Sequence, residues 1–492
     1  MLPLLSQSTL ERLPPGIARP GYDRRRVSIG IVHVGLGAFH RAHQAIYTDD
    51  RLAAGETGWG ICGLSLRSPA MRQALAPQDC LYTVLERGPE GDRARVVGAV
   101  KEALAVPETP NLAMARLADP RTRIISLTVT EKAYCGDGAT GTLDEAHPDI
   151  VQDLRREAWP RSVPGLLTEA LRRRRDAGAP PCTVLVCDNL ASNGATVARI
   201  VGRYAALSDP SLAAYVADTI AFPCTMVDRI VPATRDEDRA AVEALGYRDA
   251  WPVVAEPFTQ WVIEDRFAAG RPHWEAAGAL LVADVHPFEL MKLRALNGAH
   301  SALAYLGAPA RIATVADAMA EPLLPKFLRS LWDEDLLPTL PPVPGIAVAD
   351  YTTVLEGRFR NPAIRHLLQQ IAMDGSQKLP PRLLTPALEN LRQGQLPRRI
   401  ALVIAAWMRF LLGRDEDCQP YAIQDPLSER LVRIAREHGP DAASLSQALF
   451  GVREIFDPEL ATHPEFRDCV RQALHSLLTR GTRETLASHA PR

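Results

Sequence analysis

A nearly continuous apolar run, Val27–Val34 (VSIGIVHV), passes without a spacer into Gly35-Leu36-Gly37-Ala38-Phe39-His40, and a helical pattern follows to about Arg51. A run of this kind suits a strand buried on both faces, the situation of a parallel sheet covered by helices. The two glycines permit a tight turn and let a charged group approach the backbone closely. The helix start that follows offers free N–H groups and partial positive charge. Strand, glycine turn and helix together are the arrangement that cradles a dinucleotide pyrophosphate. Gly35, Leu36, Gly37, Ala38 and Phe39 are the predicted cofactor contacts, with His40 standing where the usual third glycine falls.

Further strands are expected at Trp59–Leu66, Arg123–Val129, Thr183–Cys187 and Ala279–Val285, alternating with helical stretches. That alternation predicts an α/β fold with a parallel sheet. After His286 helical patterns dominate, at 288–306, 399–412, 426–438 and 465–479. At 492 residues the chain exceeds what one core usually supports. The expected organisation is a Rossmann-type dinucleotide-binding domain over 1–285 and a mainly α-helical substrate and catalytic domain over 286–492. The Arg-rich stretch LRRRRDAG (171–178) is expected to be a solvated helix face.

In an NAD-binding sheet the second strand ends in an acid that takes the ribose hydroxyls. Here that end is Ser65-Leu66-Arg67-Ser68, with no carboxylate. Arg67 is either a partner for the extra phosphate of NADP or an ordinary surface arginine.

Pro287 suits the first position of a helix. At about 100° per residue, Glu289, Lys292, Leu293, Leu296, Asn297, His300 and Leu303 share an arc of roughly 140°. This leucine-bearing face is the one expected to turn inward. A buried lysine without a partner costs several kcal/mol or titrates early. A base at a substrate hydroxyl, with amide and imidazole donors beside it, gives the placement a purpose. A snorkelling lysine and a satisfied core histidine are the structural alternative. Asn189, just after strand 183–187, lies where ligands of open α/β sheets gather, although a turn or cap accounts for it equally.

The net charge of −2 gives no global attraction to nucleic acid or to an anionic membrane. No secretory leader and no apolar run of about 18 residues is visible. The eight cysteines form no Cys-x-x-Cys pair, and no zinc-ligand spacing occurs, so a reduced cytoplasmic setting and no metal are expected. Nothing in the sequence fixes an oligomeric state.

Taken in order, GIVHVGLGAFHRAHQA from Gly30, SLTVTEKAYC from Ser126, CDNLASNG from Cys187 and FPCTMVDRIVPAT from Phe222 resemble the long-chain polyol (mannitol) dehydrogenases. So do EPFTQWVIEDRFAAGRP from Glu256, PFELMKLRALNGAHSALAYLG from Pro287 and NPAIRHLLQQIAMDGSQKLPPRLL from Asn361. The resemblance runs from Tyr22 to about Arg414, and Lys292-x4-Asn297-x2-His300 is its most specific mark. It implies a Rossmann-type domain followed by a helical one, with the site between them. It implies a metal-independent oxidoreductase in which Lys292 moves the proton, Asn297 and Asn189 stabilise the oxyanion, and His300 holds substrate. Glu289 matches a proton-relaying glutamate and Glu131 a second acid near the site. Asp228 and Lys378 match substrate-side positions.

Members of this family usually use NAD, so NAD is the expected cofactor, with NADP kept open by Arg67. The stretches TMVDRIVPAT, VIEDRFAAGRP and AMDGSQKLPPRLL are most like fructuronate reductases. A sugar acid therefore heads the expected substrates, with Arg365, Arg382 or Lys378 to meet its carboxylate. Mannitol and fructose come second. A short-chain enzyme with a Tyr/Lys pair lacks its Tyr-x-x-x-Lys helix here, and a non-catalytic dinucleotide sensor has no need of the lysine and its polar neighbours.

Overall fold

Among the residues that the computed structural model describes (2–137, 141–156 and 159–489), eleven strands occur, all before residue 283. They are β1 (Ile29–Val34), β2 (Gly60–Ser65), β3 (Tyr82–Gly88), β4 (Gly91–Val97), β5 (Val100–Ala105), β6 (Ile124–Leu127), β7 (Thr183–Val186), β8 (Thr225–Asp228), β9 (Val253–Ala255), β10 (Gln260–Glu264) and β11 (Leu280–Val282). Five of them form one parallel sheet in the order β5-β2-β1-β6-β7. The chain works outward from β1 through β2 to β5, then returns to β6 and β7 on the other side. The carboxyl ends of β1 and β6 therefore flank the switch point at which such sheets bind ligands.

The apolar runs follow from burial on both faces. Val32, Val34, Cys62, Leu64, Ile125, Leu127, Val184 and Val186 enter one core, while Ile31, Ile61, Ile124 and Leu185 enter the other. Two three-stranded sheets, β11-β10-β8 and β4-β3-β9, complete the strand inventory of this unit.

Three expectations need correction. The stretch 279–285 yields β11, but it pairs with β10 and lies outside the five-stranded sheet, because β8 and β10 form the antiparallel pair it extends. The helix after the glycine turn does not run unbroken to Arg51. It divides into Ala38–Ala42 and Gln44–Ala53 at His43 (φ −129°, ψ −93°), whose Nε2 donates to the Gln260 carbonyl at 2.9 Å. In the Arg-rich helix, Arg172, Arg173 and Arg175 make ion pairs, but Arg174 is fully buried and donates to the carbonyls of Leu117, Asp119 and Pro180.

The chain divides into two compact units, Met1–His286 and Pro287–Arg492. The second is helical, with no named strand among its described residues. All ten residues of its helix Gly298–Gly307 are buried. Among the described residues of this unit three π-helical turns occur, at Lys292–Asn297, Leu331–Leu336 and Pro380–Leu384. Among the described residues no helix is long and apolar enough to cross a membrane.

Candidate active site

In the first unit the glycine turn sits at the carboxyl end of β1. Gly35 has φ +97°, and a Cβ there would lie 2.0 Å from the Thr128 carbonyl oxygen, so only glycine fits. A Cβ on Gly37 would meet nothing nearer than the Gly35 oxygen at 3.7 Å, so the space above the turn is open. Gly37 has no side chain with which to cap helix Ala38–Ala42, which leaves the first-turn N–H groups for a ligand. With only five residues in that helix, these amides rather than a long helix dipole supply the attraction.

His33, within β1, braces the turn from below. Its Nε2 donates to the Gly35 carbonyl at 3.1 Å and its Nδ1 accepts from Ser126 Oγ at 2.9 Å. Burial pushes its pKa down to about 3, so the ring is neutral. His40, at the third fingerprint position, lies flat against it, with ring centroids 3.4 Å apart. A stacked imidazole occupies the packing space that a glycine would leave to the strand. This was not visible in the motif.

Arg67 is exposed just beyond β2. Asn189 is exposed just beyond β7, next to Asp188, whose carboxylate accepts from Val129 N and Tyr134 Oη. These bonds tie the loops after β6 and β7 together. The neighbouring Asn193 is structural, bridging Asp188 O to Thr225. Asp228 is buried at the end of β8, and Glu131 is exposed in the short helix Glu131–Tyr134.

In the second unit the expected face of the Lys292 helix is buried only at Leu296, His300 and Leu303, and the opposite side is buried as well. Met291, Arg294, Ala295, Gly298, Ser301 and Ala302 are all buried, while Lys292, Leu293 and Asn297 are only half-buried. The small side chains explain this. A Cβ on Gly298 would already touch Leu336, Leu383 and the Arg382 carbonyl at 3.4–3.5 Å, so this side packs closely against the other two π turns. Arg294 is neutralised there by Glu389 at 2.6 and 2.8 Å. The side bearing Lys292 and Asn297 is the open one.

The π turn also changes the angular relation of the pair. In a regular α-helix five residues place two side chains roughly 140° apart. The wider i→i+5 turn brings position 297 back towards the face of position 292. Its backbone is tied from outside: Trp332 Nε1 donates to the Ala295 carbonyl at 2.8 Å, and Arg382 Nη1 donates to the Asn297 carbonyl at 3.4 Å.

One helix turn further, His300 is buried, and its Nε2 has no partner. Burial first, then the charges of His366, Arg382, Arg358 and Lys292, hold its pKa well below the usual histidine range. His366 is pushed down to about 4, by burial and then by Lys378, and its Nδ1 is likewise buried without a partner. The predicted residues Lys292, His300, Lys378 and Arg382 thus belong to one electrostatic neighbourhood. Arg358 and His366 complete it and escaped sequence reasoning. Arg365 is exposed beside His366, and Glu289 is half-buried one turn before Lys292.

One group of possible metal ligands occurs among the described residues. Atoms of Cys135, His147 and Asp149 lie within 4.8 Å of one another. Burial and the carboxylates of Asp149, Asp153 and Asp144 push the Cys135 thiol up to about 11, which disfavours the thiolate that a metal needs.

Residues 29–276 match the mannitol dehydrogenase Rossmann domain and residues 284–478 the mannitol dehydrogenase C-terminal domain. The chain belongs to the mannitol dehydrogenase family. It is an oxidoreductase of the kind that acts on CH–OH groups. It is 43% identical to the D-mannonate oxidoreductase of Escherichia coli (strain K12), over 96% of this chain and 98% of that one. It is 45% identical to the mannitol 2-dehydrogenase of Cereibacter sphaeroides, over 83% and 86% respectively. Its fold matches that of Pseudomonas fluorescens mannitol 2-dehydrogenase, solved as a ternary complex with NAD and D-mannitol. That match has a TM-score of 0.89 and 39% identity, over 99% of both chains.

Proposed function

We propose that this chain is an NAD-dependent dehydrogenase interconverting a secondary alcohol and a ketone on a sugar acid, with D-mannonate and D-fructuronate as the pair. One observation carries the choice of an anionic substrate. The unpartnered His300 Nε2 lies in the field of Lys292, Arg358 and Arg382, and Lys378 acts on the neighbouring neutral His366. A neutral polyol has no use for so many cations, whereas a carboxylate pairs with them. The 43% identity to a D-mannonate oxidoreductase supports the same reading.

The open glycine turn at Gly35–Phe39 suits the cofactor pyrophosphate, and NAD when bound supplies the hydride acceptor. Lys292 takes the hydroxyl proton in oxidation and returns it in reduction. The side-chain amide of Asn297 donates to the developing oxyanion, and by family resemblance Asn189 supplies a second amide. Neutral His300 holds a substrate hydroxyl through Nε2. Glu289 relays the proton of Lys292, and Asp228, Glu131 and Lys378 serve the substrate side.

The second reading is a mannitol 2-dehydrogenase, favoured by the 45% identity to the Cereibacter sphaeroides enzyme. Parallel assays of NADH oxidation with D-fructuronate, D-tagaturonate and D-fructose decide between them. The expected result is a kcat/KM for fructuronate about a hundredfold or more above that for fructose. Preference for fructose rejects the sugar-acid reading.

A further inference from the structure

A cavity of about 470 Å³ opens directly beyond the carboxyl ends of β2 and β5. Both strands run parallel to β1, and Gly35 N and Leu36 N donate to the Leu64 carbonyl at 2.8 and 3.3 Å. The cavity therefore adjoins the pyrophosphate turn on the side where a dinucleotide's adenosine half lies. Leu66, Val106 and Pro107 give it apolar walls, and Trp159, an aromatic face, closes another side. The Trp159 Nε1–H is buried without a partner. Two guanidinium side chains, Arg67 and Arg161, line the same cavity, and both residues are exposed. Arg67 follows β2, while Arg161 comes from the segment before helix Val163–Asp176, far away in sequence. Asp149 is the only carboxylate among the described lining residues, so the wall is net cationic.

An NAD-selective sheet places an acid at the end of its second strand, where it accepts from the ribose hydroxyls and repels a 2′-phosphate. This chain has no acid at 65–68 and sets two guanidinium groups around the space instead. We infer that Arg67 and Arg161 form a 2′-phosphate site, so that the enzyme takes NADP(H) alongside NAD(H). This rests on the cofactor reading above. It extends that reading with a second residue that no motif contains.

The test uses the full-length protein and calorimetric titration with 5′-AMP and with 2′,5′-ADP, which differ only in the 2′-phosphate. The expected result is binding of 2′,5′-ADP at least about tenfold tighter, a preference that shrinks as salt is raised. In Arg67→Ala and in Arg161→Ala the ratio of the two affinities falls towards one. A ratio near one in the unaltered protein, with NADH still bound, overturns the 2′-phosphate site alone. A ratio that neither substitution changes also overturns it. Failure of NADH and both nucleotides to bind removes the cofactor reading and this site together.

Discussion

His366 stands edge-on to His300, with ring centroids 4.9 Å apart and planes at 83°. Phe359 covers His300 at 4.7 Å, so the histidine has little freedom to tilt. A neutral, fixed imidazole with one open nitrogen is suited to a substrate hydroxyl. Replacing it with His300→Ala is expected to raise the substrate KM about tenfold or more while leaving the KM for NADH alone. His366→Ala is expected to act in the same direction but more weakly, through loss of orientation. Steady-state kinetics with each substrate varied separately check this; equal changes in both KM values would rule out a substrate-side role.

The π turn at Lys292–Asn297 depends on a bond from another π turn. Trp332→Phe keeps the aromatic packing but removes the donor to the Ala295 carbonyl. A buried carbonyl left without its partner costs about 1–3 kcal/mol. Urea unfolding is expected to show that loss, accompanied by a lower kcat because Lys292 and Asn297 lie on the released turn. Unchanged stability would mean that the turn holds itself.

How far these features were legible depends on what produced them. β1, β2, β6 and β7 were readable because burial on both faces leaves a continuous apolar run. β5 carries Lys101 and Glu102 at the sheet edge, and β4 opens on Gly91, Asp92 and Arg93 and carries Arg95 before its two valines, so neither stood out. The Lys292, Asn297 and His300 spacing was visible, but a 100° wheel could not reveal a π turn or the burial of the opposite, small-residue side. Arg358 and His366 reach His300 only through tertiary packing. The motif stretch containing His366 was the one available signal.

The two glycines of the turn should separate folding from binding. Gly35→Ala sets a Cβ 2.0 Å from Thr128 O at φ +97°, so both Tm and NADH affinity are expected to fall. Gly37 has φ −96° and open space around its missing Cβ. Gly37→Ala is therefore expected to leave Tm within a degree or two yet weaken NADH binding about tenfold, read by quenching of protein fluorescence. If Gly37→Ala binds NADH normally, the open space is not the pyrophosphate's.

Removal of the proton-transfer group has a distinct signature. Lys292→Ala is expected to lower kcat by about 10²–10⁴-fold while NADH still binds. Lys292→Arg is not expected to rescue, since a guanidinium holds its proton too firmly to act as a base. Near-normal turnover in either variant would transfer the role to another residue.

Acid stability supplies the last prediction. His33, His40, His300 and His366 all have folded-state pKa values below that of the unfolded chain, chiefly through burial. The unfolded chain takes up protons near pH 6.5 that the folded one refuses, so their contribution is complete above that pH and declines as pH falls. Each such histidine contributes a slope of about 1.4 kcal/mol per pH unit once the unfolded form is protonated, until its own folded pKa is reached. Asp335, pushed up to about 6 by burial, opposes them, because its folded form binds the extra proton. Asp188, its pKa also raised by burial, acts in the same sense as Asp335, and four groups against two leave a net loss of stability between pH 6.5 and about 4.5. Calorimetry is expected to show Tm falling steadily through that window, and His366→Asn should reduce the slope. A flat Tm from pH 7 to 5 would mean that these histidines gain protons without unfolding, and that their burial is relieved by local opening.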